Sequence, residues 1–179
     1  MPRRVLDVGG VNDSSATKDQ DIRLIETRDG ISDYICLSHC WGSEMFKTTK
    51  ENINERMQNI RFNDLLATFK DAVRITRDLD KRYLWIDSLC IIQNDSGDWH
   101  DERLRMHEMY GNSYLTIAAS KTKGPDDGLF SVSFQHKLQQ FSFAPDGQGQ
   151  SVMRVRQKIS HFNSIDSFPL LKRGWVFQE

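Results

Sequence analysis

The chain has 179 residues, a formal net charge of −1, 38% apolar content, ten Phe and four Trp, which is enough to bury one core of ordinary domain size. The near balance of charge excludes the strongly basic footprint of a nucleic-acid-binding domain, so Arg3-Arg4 and Lys81-Arg82 read as solvated surface. No apolar run approaches the about 20 residues that span a bilayer, the first residues lack the apolar stretch of a signal peptide, and Cys36, Cys40 and Cys90 are too few for a disulfide framework; a soluble protein of the reducing cytoplasm is expected.

In chain order, residues 23–27 and 34–38 read as strands around a turn at Asp29-Gly30. Leu65, Leu66, Phe69, Ala72, Val73, Thr76 and Leu79 then recur at helical spacing, with Asn63 or Asp64 placed to cap the start. Residues 83–87 are apolar on both faces, as in a parallel strand covered by helices. Asp98 is expected to cap a second helix with Trp99, Met106, Met109 and Tyr110 along one stripe, and residues 113–119 supply a further strand. The order βαβαβ predicts an α/β fold with a mainly parallel sheet and right-handed crossovers. Residues 137–143 and 152–156, either side of Pro145-Asp-Gly, read as an antiparallel hairpin appended to it. There is no internal repeat, and the loop-like stretches 9–20, 121–128 and 144–150 are too short for an interdomain linker. One domain over residues 1–179 is expected.

Open parallel sheets bind ligands at the carboxyl ends of their strands. Two strands here end in polar, reactive side chains: Ser38, His39, Cys40 and Trp41 after the first, Asp87 and Ser88 after the second. Each alone can serve structure: the serines by satisfying strand-end backbone groups, His39 by bonding a neighbour, Trp41 by packing. Their clustering at one edge points instead to a site, since a site is a constellation. Glu102 shares its helical face with Trp99, Met106 and Met109, which puts a carboxylate in the inward stripe. A buried carboxylate is paired, protonated or functional; the alternative is that Glu102 lies outward and complements the helix dipole, as Asp101 does. Glu108 lies on another face, toward solvent.

Cys36, His39, Cys40, Cys90 and His100 include metal-ligand types, but the spacing is wrong for paired zinc ligands. No nucleophile elbow accompanies Cys40 or Cys90, and Gly9-Gly10 and Gly124-Pro-Asp-Asp-Gly128 lack the lysine of a phosphate-binding loop. No metal or required cofactor is expected.

Three ordered blocks carry a family resemblance: Leu37-Ser-His-Cys-Trp-Gly42; Leu84-Trp-Ile-Asp-Ser-Leu-Cys-Ile-Ile-Gln93 with Asp98, Trp99, Glu102, Met106, Tyr110 and Thr116-Ile-Ala-Ala119; and Arg173-Gly-Trp-Val-Phe-Gln-Glu179. With them the chain resembles the fungal heterokaryon-incompatibility (HET) domain. The resemblance implies a cytosolic module of fungal non-self recognition, an innate-immunity function, in which partner recognition domains or allelic incompatibility proteins trigger programmed cell death. Family members work within larger proteins, and the chain stops inside the third block, so a domain cut from a longer polypeptide is expected. A weaker likeness, carried by Ser96, Trp99 and Glu102, is to Toll/interleukin-receptor (TIR) domains; the Trp-to-Glu spacing is one residue shorter here. That likeness implies a TIR-like sheet order and an NADase, a hydrolase that cleaves the nicotinamide glycosidic bond of NAD, with Glu102 as the catalytic carboxylate. Trp41 or Trp99 would then stack on a base, Ser38, His39, Asp87 and Ser88 would position ribose or phosphate, and Arg173 would meet a phosphate or a carboxylate, or else form a structural salt bridge. The competing expectation is a non-catalytic death-signalling adaptor that self-assembles or docks a partner. Neither nucleic acid nor a membrane is expected among its partners.

Overall fold

A computed structural model describes residues 2–10, 19–27, 33–42, 46–120, 122, 124, 126–130, 139–143, 151–155 and 170, the two segments 139–143 and 151–155 by their backbone. Its main sheet has five strands: β1 (Arg4–Asp7), β2 (Arg23–Glu26), β3 (Ile35–Ser38), β4 (Tyr83–Ile86) and β5 (Leu115–Ala118), in spatial order β2-β1-β4-β3-β5. Strands β3, β4 and β5 are parallel, whereas β1 runs antiparallel to both β4 and β2. The sheet is therefore mixed, which corrects the mainly parallel sheet expected from the βαβαβ order. The reason is β1, a four-residue strand that starts on an arginine and ends on an aspartate. Its charges disguise a segment buried at every position, and β2 pairs with it rather than with β3. The expected turn at Asp29-Gly30 lies outside the described residues.

The parallel strands themselves stand in the order β4-β3-β5, so the first strand in sequence is central. The chain leaves β3 toward β4 through α1 (Ile53–Gln58) and α2 (Ala67–Asp78), then returns past β3 to β5 through α3 (Asp87–Cys90), α4 (Ser96–Leu104) and α5 (Met106–Gly111). Such a reversal opens a crevice at the carboxyl ends of the strands either side of it. Residues 139–143 and 151–155 form β6 (Gln139–Phe143) and β7 (Ser151–Val155), an antiparallel pair matching the expected hairpin; the turn at Pro145 lies outside the described residues.

Helix α2 buries Phe69, Ala72, Val73 and Thr76 against the sheet, as the spacing predicts. Its start differs: Phe62–Asp64 forms a separate 3-10 turn, and Leu66 opens α2 with no side-chain cap, so neither Asn63 nor Asp64 caps it. At its other end Asp80 adopts φ 54°, while the Lys81 and Asp80 N–H groups return to the Thr76 and Arg77 carbonyls. This is a left-handed helix terminus, where glycine is unstrained and a carboxylate opposes the helix dipole. Asp80→Gly is therefore expected to raise stability by roughly 0.5–1 kcal/mol in urea unfolding, with an unchanged slope.

The core is one cluster built on β1, β3 and β4, with Trp85, Tyr34, Phe62, Phe69, Leu37 and Ile86 among its fully buried side chains. Lys81 and Arg82 stay near the surface, paired with Asp33 and Asp7. Arg4 does not. It is 1% exposed, which corrects the surface reading for Arg4, whereas Arg3 is exposed as expected.

Candidate functional site

Strands β3 and β4 end side by side because Leu37 is in register with Ile86. Their continuations, Ser38-His39 and Asp87-Ser88, are all buried. Asp87 is the hub. One carboxylate oxygen accepts the Ser88 N–H at 2.7 Å and faces His39 Nδ1 at 3.8 Å; the other accepts the Trp41 indole N–H at 2.8 Å. Gln93 donates its side-chain amide to the Asp87 carbonyl at 2.9 Å and to the Ile91 carbonyl at 3.1 Å, which fixes the turn below the carboxylate. The His39 ring meets Phe69 edge-on at 4.9 Å, and the Ser38 carbonyl accepts the Ala119 N–H at 2.9 Å, tying in the end of β5. The Ser88 hydroxyl is buried and has no hydrogen-bond partner among the described residues.

Helix α4 supplies the second half of the edge. Asp95, not Asp98, caps it, accepting the Gly97 and Asp98 N–H groups at 3.0 and 3.3 Å. The helix starts earlier than expected because the cap lies before Ser96-Gly97, and Asp98 is thereby free to turn inward. There it pairs with the Arg4 guanidinium and accepts the Ile92 N–H at 2.8 Å. Arg4 also donates Nε to the Cys90 carbonyl at 2.8 Å. Because β1 is antiparallel to β4, the start of β1 lies at the carboxyl end of β4, and Arg4 joins the same edge.

Glu102 lies one helical turn beyond Asp98, on the same face. It is 2% exposed, and Oε2 is buried without a hydrogen bond among the described residues. Burial raises its carboxyl above the usual carboxylate range, and the Asp98 charge adds to this; Arg4, Arg105 and Arg3 counter only in part. Asp7 shows what compensation looks like. Burial pushes that carboxyl up too, but Arg82, the Gly9 N–H and Arg23 hold it below the usual range. It lines a polar cleft of about 220 Å³ with Gln20, Asn59 and others at the opposite edge of the sheet. Two buried carboxylates thus differ in kind: Asp7 is saturated and Glu102 is not.

The expected stripe of Trp99, Glu102, Met106 and Met109 does face inward, with Glu102 and Met109 buried and Trp99 and Met106 packed against the core, although Arg105 divides α4 from α5. Asp98 is buried beside Glu102, and Trp99 is half-buried beneath Arg103, whose guanidinium lies 5.0 Å from its ring. Asp101 and Glu108 are exposed. Cys90 is fully buried and its thiol is pushed up to about 12 by burial, so at neutral pH it is a thiol rather than a nucleophilic thiolate. Arg173 lies outside the described residues. Among the described residues no three His, Cys, Asp or Glu side chains come together as a metal set.

Ser38, His39, Trp41, Asp87, Ser88 and Glu102 therefore share one edge of the sheet. Arg4 and Asp98 are the members that sequence reasoning missed. The available signal was alternation: Arg4 shares a strand face with the fully buried Leu6, and a long side chain on an inward face needs an acidic partner.

The family model described as heterokaryon incompatibility protein (HET) matches residues 34–179. No curated protein and no solved structure matches the chain.

Proposed function

Because the chain belongs to the heterokaryon incompatibility (HET) family, we propose that it is a cell-death effector of fungal non-self recognition that acts in the cytoplasm by cleaving the nicotinamide glycosidic bond of NAD through Glu102. The observation that carries this reading is the buried, unsatisfied Glu102 carboxylate at the same sheet edge as the Asp87 cluster. Stability alone gives no reason to keep it, since an unpaired buried polar group costs on the order of 1–3 kcal/mol. A cationic reacting centre gives one.

The chemistry is hydrolytic: water adds to C1′ of the ribose as its bond to nicotinamide breaks, giving ADP-ribose, nicotinamide and a proton. The pyridinium takes the bonding pair and leaves as a neutral pyridine, so no general acid is needed. Positive charge moves onto the ribose in the transition state, and a desolvated carboxylate held in place stabilises that charge more than it stabilises the ground state. Trp41, steadied by Asp87 at 2.8 Å, offers a face for the ring, with Trp99 as the other indole of the proposed site. Ser38, His39, Asp87 and Ser88 position the ribose hydroxyls, and Arg173 meets a phosphate or carboxylate. NAD is the substrate, and no cofactor is invoked.

The second reading, a non-catalytic adaptor acting by self-assembly or by docking partner recognition domains or allelic incompatibility proteins, is favoured by the unpaired side of β5. Leu115 at its start and Tyr114 just before it are 42% and 59% exposed, and among the described strands β5 pairs only with β3. Nicotinamide release from NAD, followed by chromatography at high protein concentration and in assemblies with native partner domains, separates the two. Release supports the enzyme; its absence even in the assembled state supports the adaptor.

A further inference from the structure

The polar cleft of about 220 Å³ lies at the opposite sheet edge from Asp87 and Glu102. Its floor is the end of β1. Asp7 there is 6% exposed, and both carboxylate oxygens are filled: Oδ1 accepts Arg82 Nε at 2.9 Å and the Gly9 N–H at 3.2 Å, and Oδ2 accepts Arg82 Nη2 at 3.0 Å and Arg23 Nη2 at 3.2 Å. One buried carboxylate thus holds two guanidiniums together, one from β2 and one from the residue before β4. To neutralise Asp7, Arg82 suffices, since its fork already reaches both oxygens. Arg23 is the additional cation. Its side chain is 54% exposed, and among the described residues its guanidinium makes one hydrogen bond, to Asp7. Gly9, at φ 77°, lines the floor without a side chain.

The opposite sign stands on the wall. Asp21 precedes Arg23 by two residues, the spacing that puts two side chains on one side of an extended chain, and the bridge between Ile22 and Ile60 fixes the segment between them. Asp21 Oδ2 accepts the Asn59 side-chain amide at 2.9 Å and Oδ1 the Phe62 N–H at 2.8 Å. The Asn59 amide and the Phe62 N–H hold that carboxyl below the usual carboxylate range, so it is charged at neutral pH, and each oxygen keeps a lone pair for a second donor. The Gln20 and Gln58 side-chain amides also line the cleft and make no hydrogen bond among the described residues.

The cleft is therefore two-ended, with guanidiniums at the floor, a carboxylate on the wall and uncommitted amides beside them. Arg23, Arg82, Asp7 and Asp21 carry no net charge together, so a bare anion is matched at one end only, whereas a zwitterion is matched at both. The volume falls below the about 300–1,000 Å³ of sites for drug-sized ligands, which limits the occupant to a small molecule. We propose that this cleft binds a free α-amino acid, with its carboxylate on Arg23 beside Arg82, its ammonium on Asp21 and a small or polar side chain toward the amides. The site does not depend on NAD cleavage.

A thermal-shift screen of the common amino acids, followed by calorimetric titration of those that shift, tests it. At least one with a small or polar side chain is expected to bind wild type with a Kd of about 1 mM or tighter, as suits a ligand of about ten heavy atoms. Arg23→Gln and Asp21→Asn are each expected to weaken that binding about tenfold or more, the loss of a charge-assisted hydrogen bond. Both keep the fold: Asp7 retains Arg82 and the Gly9 N–H in the first, and the asparagine oxygen still accepts the Phe62 N–H in the second. The ligand can be altered instead of the protein. The amide of the same amino acid, which lacks the carboxylate, and its N-acetyl derivative, which lacks the ammonium, should each bind wild type about tenfold more weakly or worse. An N-acetyl derivative, acetate or inorganic phosphate that binds as tightly as the free amino acid overturns the zwitterion assignment. Failure of every amino acid to bind wild type, or unchanged affinity in folded Arg23→Gln, overturns the site.

Discussion

Glu102→Gln is expected to abolish nicotinamide release and, at the same time, to make the folded protein more stable at pH 7. Glutamine keeps the shape of the side chain and removes the charge that burial disfavours. The Glu102 carboxyl is raised above its usual range by that burial and by Asp98, so the folded state binds the proton more tightly than the unfolded state does. Its contribution to stability is then fully present below the unfolded pKa and is lost as pH rises through the folded one. Wild type and Glu102→Gln should unfold alike in acid, near and below the ordinary glutamate range of about 4.3, and diverge as pH rises toward neutrality. The expected gain at pH 7 is about 1–3 kcal/mol, the cost of leaving such a group unsatisfied. Loss of turnover should reach about 10²-fold or more, the scale of removing one preorganised electrostatic group from a reacting centre. A variant that gains stability and loses function marks a residue kept for chemistry.

Arg4→Ala is expected to have the largest effect on stability. The arginine is 1% exposed and joins β1 to α3 and α4 through the Cys90 carbonyl and the Asp98 carboxylate. Removing it leaves the buried Asp98 charge next to Glu102 with, among the described residues, only the exposed Arg3 guanidinium at 3.4 Å as an ionic partner, and breaking a buried pair from one side costs about 3–5 kcal/mol. That is a large share of the 5–15 kcal/mol typical of a domain. The double variant Arg4→Met with Asp98→Asn removes both charges and keeps an acceptor for the Ile92 N–H, whose bond to Asp98 is 2.8 Å long. It should recover most of the loss in urea unfolding. If Arg4→Ala unfolds at the wild-type midpoint, the pair does not hold this edge together.

Local pattern made much of this legible. The apolar spacing of α2, the doubly buried β4 and the hairpin of β6 and β7 follow from periodicity. So does the meeting of Ser38-His39 with Asp87-Ser88, because adjacent parallel strands end at the same edge. What sequence reasoning missed depends on distant partners. Arg4 reads as solvent-exposed until Asp98, 94 positions later, is seen to neutralise it. The mixed sheet follows from β1 slotting between β2 and β4, a choice no local propensity encodes. The cap of α4 was misplaced because Asp95 and Asp98 are both good caps, and only burial of the second decides between them. The earlier cap brings Asp98 inside the helix, where it joins Glu102 as a second buried carboxylate.

The most direct test compares nicotinamide release by wild type and by Glu102→Gln, at equal concentration and in the same assembled state, with an unfolding curve for each at pH 7. A folded, more stable Glu102→Gln that releases no nicotinamide while wild type does is the predicted result. Equal release by the two would contradict the catalytic assignment of Glu102.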